Sequence, residues 1–138
     1  MKFEESETLQ CVINAFAGES QARNRYTFYA KEAKKEGFEK ISQIFLETAE
    51  NEKEHAKLFY KHIPGGQHWR VNAEYPFFIS KNTEENLLAA ANGEKEEWEY
   101  IYKHGAEIAK EEGFDEISKL FSGILEIEKY HAYRFETI

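Results

Sequence analysis

The chain has 138 residues, 41% of them hydrophobic, with 26 acidic against 18 basic side chains and a formal net charge of −8. That length suits one domain with a sizeable core, and the acidic balance excludes the basic face that a sequence-independent grip on nucleic acid needs. No apolar run approaches the ~18 residues that span a bilayer, the acidic N-terminus lacks the order of a secretion signal, and the single cysteine, Cys11, leaves no disulfide framework and no Cys-x-x-Cys element; the expectation is a soluble, cytoplasmic domain without nucleic-acid or membrane partners.

Leu9, Val12, Ile13 and Phe16, then Tyr26, Tyr29, Ala30 and Ala33, recur at spacings of three and four, which predicts a first helix over about 4–36. Ile41, Ile44, Phe45, Thr48 and Ala49 predict a second over about 38–62. Both prolines and the Gly65-Gly66 pair fall between 63 and 82, the one stretch that reads as a connection. A third helix follows over about 83–112, and Ile117, Leu120, Phe121, Ile124 and Leu125 mark a fourth over about 114–136. Gly37 and Gly113 stand where one helix stops and the next begins, the place of a left-handed C-cap. Cys11 reads as a small buried hydrophobe.

The chain repeats itself. Shifting residues 30–59 by 76 positions gives 15 identities in 30, among them Gly37/Gly113, Phe45/Phe121, Glu52/Glu128 and His55/His131. Further upstream the register slips: Gly18-Glu19 matches Gly93-Glu94 at a shift of 75, whereas Tyr26 matches Tyr102 at 76. One extra residue therefore lies between Glu94 and Tyr102, and a helix absorbs such an insertion most easily as a π-bulge.

The fold class is thus all-α: a ferritin-like four-helix bundle forming a single domain over 1–138, with repeated hairpins 1–62 and 83–138 and a crossover 63–82. A connection of about 20 residues is too long for antiparallel neighbours, so the second and third helices are expected to be parallel. Tyr75-Pro-Phe-Phe-Ile79 is apolar for a linker; it either covers the core or packs on a second subunit, as in a homodimer with or without exchanged hairpins.

Both second helices contain Glu-x-x-His, Glu52–His55 and Glu128–His131, a spacing that puts both side chains on one helix face. Glu19 lies 18 residues before Gly37 and Glu52 lies 15 after it, roughly 27 and 22 Å from the turn at about 1.5 Å per residue. Glu94 and Glu128 stand 19 and 15 residues from Gly113, so all four helices offer carboxylates to one layer. Ionised glutamates cannot stay unpaired in a core, and two divalent cations would neutralise them; one Glu from each of two helices plus Glu-x-x-His from the other two is the ligand pattern of di-iron carboxylate bundles. Carboxylate with imidazole suits iron or manganese. Glu97, one turn from Glu94, is either a solvated glutamate or a fifth carboxylate of the site. Tyr26 and Tyr102, about two turns from Glu19 and Glu94, either hydrogen-bond those carboxylates or fill the core. His62, His68 and His104 lack a repeat partner and read as surface or helix-end residues.

The segments Gly18-Glu-Ser-Gln-Ala-Arg-Asn-Arg-Tyr26, Glu52-Lys-Glu-His55, Gly93-Glu-Lys-Glu-Glu97 and Glu128-Lys-Tyr-His131 resemble the rubrerythrin family. The resemblance implies a non-haem di-iron site, oxo- or hydroxo-bridged when oxidised, with manganese or zinc as substitutes. Its ligands would be Glu19, Glu52, His55, Glu94, Glu97, Glu128 and His131, with Glu52 and Glu128 bridging and one iron exchanging His55 for Glu97 between reduced and oxidised states. It also implies reduction of hydrogen peroxide to water, with Glu97, His55, Tyr26 and Tyr102 as candidate catalytic residues. Full-length relatives carry a rubredoxin-like centre with two Cys-x-x-Cys pairs; this chain resembles the shorter form, so electrons would come from an external donor such as a separate rubredoxin. Rival readings are a ferroxidase or iron-handling role using dioxygen, a manganese catalase, and a non-enzymatic bundle. Bacterioferritin shares the ligand spacing but would want a fifth helix and a haem-binding methionine, and the only Met here is Met1.

Overall fold

The computed structural model describes residues Met1–Ile138. The first helix runs Glu7–Lys35, the second Glu39–Tyr60 and the fourth Asp115–Glu136. The third is continuous through three segments: α-helical Thr83–Glu96, a π turn over Glu97–Tyr102, and α-helical Lys103–Glu111. The π turn falls inside the interval marked by the slip in the repeat. The first helix starts later than its periodicity suggests, because the Ser6 hydroxyl accepts the Leu9 N–H and caps it there. Phe3–Glu5 form a separate 3₁₀ turn before that cap.

The hairpin turns are built alike. Gly37 and Gly113 adopt φ of 86° and 87°, and Phe38 and Phe114 donate back to the Ala33 and Ala109 carbonyls at 2.9 and 2.8 Å. A side chain at either glycine would be strained in that left-handed conformation. Ser42 and Ser118 then tie each second helix to its first through the Ala30 and Ala106 carbonyls, at 2.8 and 2.7 Å.

Glu36, just past the first helix, accepts the backbone N–H and hydroxyl of Thr83 at the start of the third, both at 2.6 Å. Glu112, just past the third helix, accepts the N–H groups of Glu7 and Thr8 at 3.1 and 2.7 Å. First and third helices are therefore antiparallel neighbours. Arg134–Glu47 at 3.1 Å and His131–Asn51 at 3.0 Å show the same for fourth and second. The second and third helices accordingly lie on a diagonal and point the same way.

Between them the crossover runs along the first helix. Gln10 donates to the Arg70 carbonyl, Asn14 bonds Asn72 twice, and Tyr29 donates to the Phe78 carbonyl. Phe77 stays 91% exposed, so of the apolar run only Tyr75 turns inward, its hydroxyl on the Asn14 carbonyl.

The apolar core is divided in two by a polar layer. Tyr26, Phe45 and Phe135 form the aromatic heart of one part, and Tyr102, Phe121 and Phe59 that of the other. These trios are repeat counterparts, with ring centroids 5.3–6.2 Å apart in the first and 5.1–5.9 Å in the second. Each draws two rings from one hairpin and one from the other, so both lock the hairpins together. Cys11, expected to be buried, is half-buried at the edge of the second part.

Candidate metal centre

The polar layer holds one carboxylate from every helix. Glu19, Glu52, Glu94 and Glu128 have no solvent-exposed surface, and His55 and His131 are also buried. Two groups of donors emerge: Glu19, Glu52, His55 and Glu128, and Glu52, Glu94, Glu128 and His131, with the donor atoms of each group all within 4.8 Å of one another. Glu52 and Glu128 belong to both. His55 Nδ1 stands 3.4 Å from Glu128, 3.6 Å from Glu19 and 3.7 Å from Glu52. His131 Nδ1 stands 3.2 Å from Glu52, 3.5 Å from Glu94 and 3.9 Å from Glu128.

These groups do not satisfy one another. Both oxygens of Glu52 and Glu128, one each of Glu19 and Glu94, and Nδ1 of both histidines are buried without a hydrogen-bond partner. So many orphaned acceptors in one place would be prohibitive in a metal-free design. Four carboxylates carry the charge that two divalent cations would cancel, and Glu52 and Glu128 offer oxygens to both donor groups. The residues fit a di-metal pair.

Electrostatics without metal tell the same story. Burial, and next the charge of Glu52, push the Glu94 carboxyl up to about 7. Burial acts to lower the pKa of His131, but the carboxylates of Glu52 and Glu94 close to its Nδ1 outweigh it and raise it to about 9. Burial also acts to raise Glu52, yet His131 and His55 bring it below its ordinary value. Protons thus occupy, in the metal-free pocket, places that cations would take.

The surrounding side chains aim the ligands. Tyr26 donates to Glu94 at 2.7 Å and Tyr102 to Glu19, each reaching across from the opposite hairpin. Burial and the neighbouring carboxylates raise both phenols well above 10, so both remain donors. The two tyrosines therefore do what one of the two sequence readings proposed, while also filling the core. Asn51 Oδ1 accepts from His131 Nε2 at 3.0 Å, leaving Nδ1 to face the carboxylates. The counterpart of Asn51 is Ile127, so no such anchor holds His55.

One of the two Gly-Glu pairs has a packing reason: a methyl group at Gly18 would come within 3.0 Å of the Tyr75 ring, whereas one at Gly93 would meet the Arg25 guanidinium at an ordinary contact distance of 3.5 Å. Glu97 is buried, one oxygen unpaired, and outside both donor groups. The solvated reading of Glu97 is thereby excluded. His68 and His104 are exposed and His62 half-buried, away from the site. Sequence reasoning missed Asn51, Arg25 and Tyr75. The first two carry one available signal: they stand where the repeat has isoleucine, at 127 and 101.

The sequence profile of the family described as Rubrerythrin matches residues 11–138. The chain belongs to the rubrerythrin family. Rubrerythrins bind a di-iron centre, and the paired donor groups here are suited to it. Rubrerythrin of Porphyromonas gingivalis is 52% identical over 130 residues, covering 94% of this chain and 64% of that protein. Rubrerythrin of Nitratidesulfovibrio vulgaris is 46% identical over 130 residues, covering 94% and 68%. Among solved structures, nigerythrin in its fully reduced, all-ferrous state superimposes with a TM-score of 0.82 at 30% identity, covering 98% of this chain and 69% of that one. The chain thus spans less than two-thirds of the Porphyromonas gingivalis rubrerythrin.

Proposed function

We propose that this rubrerythrin is a di-iron peroxidase of oxidative-stress defence, reducing hydrogen peroxide to two waters with two protons and two electrons from an external donor such as a rubredoxin. When bound, a ferrous pair would supply those two electrons, one from each ion. Glu19, Glu52, His55 and Glu128 would hold one ion, and Glu52, Glu94, Glu128 and His131 the other. The observation that carries the reading is an asymmetry: His131 is anchored by Asn51, whereas His55 is not, and Glu97 waits unpaired and buried beside the site.

Tyr26 and Tyr102 keep Glu94 and Glu19 oriented and hold their own protons. Glu97 is the proton reservoir: burial, then Glu94 and Glu52, hold its carboxyl well above the ordinary 4.5, so it keeps a proton available to substrate in the pocket. The buried layer shields this exchange from bulk water. The exposed Phe77, Phe78 and Ile79 support a homodimer.

The deciding experiment is stopped-flow absorbance on iron-loaded, reduced protein mixed with peroxide and, separately, with dioxygen. Much faster oxidation by peroxide at two irons per chain is expected. Faster oxidation by dioxygen with accumulation of iron would replace this reading by the ferroxidase one.

A further inference from the structure

The two donor groups are near-copies. Each takes one carboxylate from the first helix of a hairpin, Glu19 or Glu94, shares Glu52 and Glu128, and adds one histidine. Glu19 and Glu94 are held alike, by the hydroxyls of the counterpart tyrosines Tyr102 and Tyr26. Both histidines turn Nδ1 towards three carboxylates, at 3.4–3.7 Å for His55 and 3.2–3.9 Å for His131. Their rings lie 26° from parallel.

The groups differ at the far side of the imidazoles. His131 Nε2 lies 3.0 Å from Asn51 Oδ1, a bond that reaches from the fourth helix to the second. At the counterpart position stands Ile127, whose side chain can accept nothing. With its proton fixed on Nε2, His131 keeps the Nδ1 lone pair aimed at the carboxylate layer before any ion arrives. His55 has no such constraint, so an ion there must itself order the ring and select the tautomer. Asn51 is exposed and takes no part in either half of the core, so its bond can be altered without disturbing the packing.

We propose that Asn51 is a positioning residue that makes the two ion positions unequal: the one with His131 fills first and holds its ion, and the one with His55 fills second and exchanges its ion. This rests on the di-metal reading of the site. A hydrogen bond to the remote nitrogen of a ligating histidine is worth about 10–100-fold in metal affinity, and one position alone has it. Two equal positions would also fill in two steps, because the first cation repels the second. The place of the first ion, rather than the existence of two steps, is therefore what the asparagine decides. A pair of two different divalent ions then assembles in a defined order.

The test loads metal-free protein with one equivalent of Co²⁺ per chain and locates the ion in crystals by anomalous scattering at the cobalt edge. Wild type is expected to place cobalt in the His131 position with about tenfold or greater preference. Asn51→Asp retains the acceptor and should keep that preference, whereas Asn51→Ile should spread cobalt evenly over both positions. Asn51→Ile with Ile127→Asn carries the anchor to the other hairpin and should move cobalt to the His55 position; if that double variant does not fold, Asn51→Ile alone decides. Equal occupancy in wild type, a first ion at His55, or a preference for His131 that survives in Asn51→Ile or in the double variant overturns the proposal and leaves the di-metal reading standing. Protein that takes up no cobalt at either position overturns both. Because occupancy and not turnover is read, the result stands apart from whether the protein reduces peroxide.

Discussion

Tyr102 and Tyr26 each end in a hydroxyl that fixes one oxygen of a carboxylate belonging to the other hairpin. Removing that hydroxyl leaves the ring packing intact but frees the ligand to rotate. Tyr102→Phe is therefore expected to weaken metal binding by about 10–100-fold with unchanged helical content, as measured by competition with a chromophoric chelator; affinity within a factor of two of wild type would show that Glu19 is oriented by packing alone. Asn51→Leu makes the second half resemble the first by removing the anchor of His131, and the same chelator assay should show a loss of about tenfold or more. The buried carboxylates and histidines could be read from the sequence because i, i+3 spacing fixes a common face whatever the rest of the chain does. Arg25 and Asn51 could not, since a departure from a repeat does not say which neighbour it faces until the helices are packed.

Two glycines in regular helix separate what an element tolerates from what it needs. Gly105 faces the Phe121 ring, and a methyl group there would come within 2.8 Å of it. Gly105→Ala should destabilise by about 1–3 kcal/mol despite the gain in helix propensity. Gly123 meets nothing within 4 Å, so Gly123→Ala should stabilise by up to about 1 kcal/mol. Thermal melts of the two variants in opposite directions are the expected result; a shift in the same direction would mean that the third and fourth helices slide to make room. Helix number, the hairpin turns and the π turn were legible in periodicity, paired glycines and the one-residue slip. The path of the crossover was not, because it is fixed by polar side chains such as Gln10, Asn14 and Tyr29 bonding to backbone, and these leave no periodic mark.

For the molecule as a whole, stability depends on what fills the layer between the two core halves. Cations that bind only the folded chain add about 4 kcal/mol at a thousandfold excess over the dissociation constant. Chelation is expected to lower the melting temperature by roughly 10 °C, and Glu52→Gln should reduce that difference sharply. Acid acts at the far ends. Burial acts to raise the pKa of Glu112, but the hydroxyl and N–H of Thr8, with the N–H of Glu7, together outweigh that and bring it below its usual 4.5. A carboxyl with a lowered folded pKa contributes stability above the unfolded value and loses it as pH falls through the folded one. Glu112→Gln should therefore cost about 1 kcal/mol near neutrality, and its deficit relative to wild type should vanish as the pH drops below about 4; a deficit that is constant with pH would show that the charge plays no part.

The reciprocal caps at Glu36 and Glu112 carry an implication about descent. Ser6 and Asn82 cap the start of each hairpin's first helix from within, but further N–H groups there are closed by a glutamate of the other hairpin. A half-length ancestor meeting a second copy of itself would thus have been complete at once, with two caps, two aromatic trios and a symmetric ring of carboxylates, before fusion let the halves diverge. A peptide of residues 1–62 is expected to retain enough of that inheritance to pair into a helical dimer in sedimentation experiments; a disordered monomer would argue that the two halves became interdependent after they were joined.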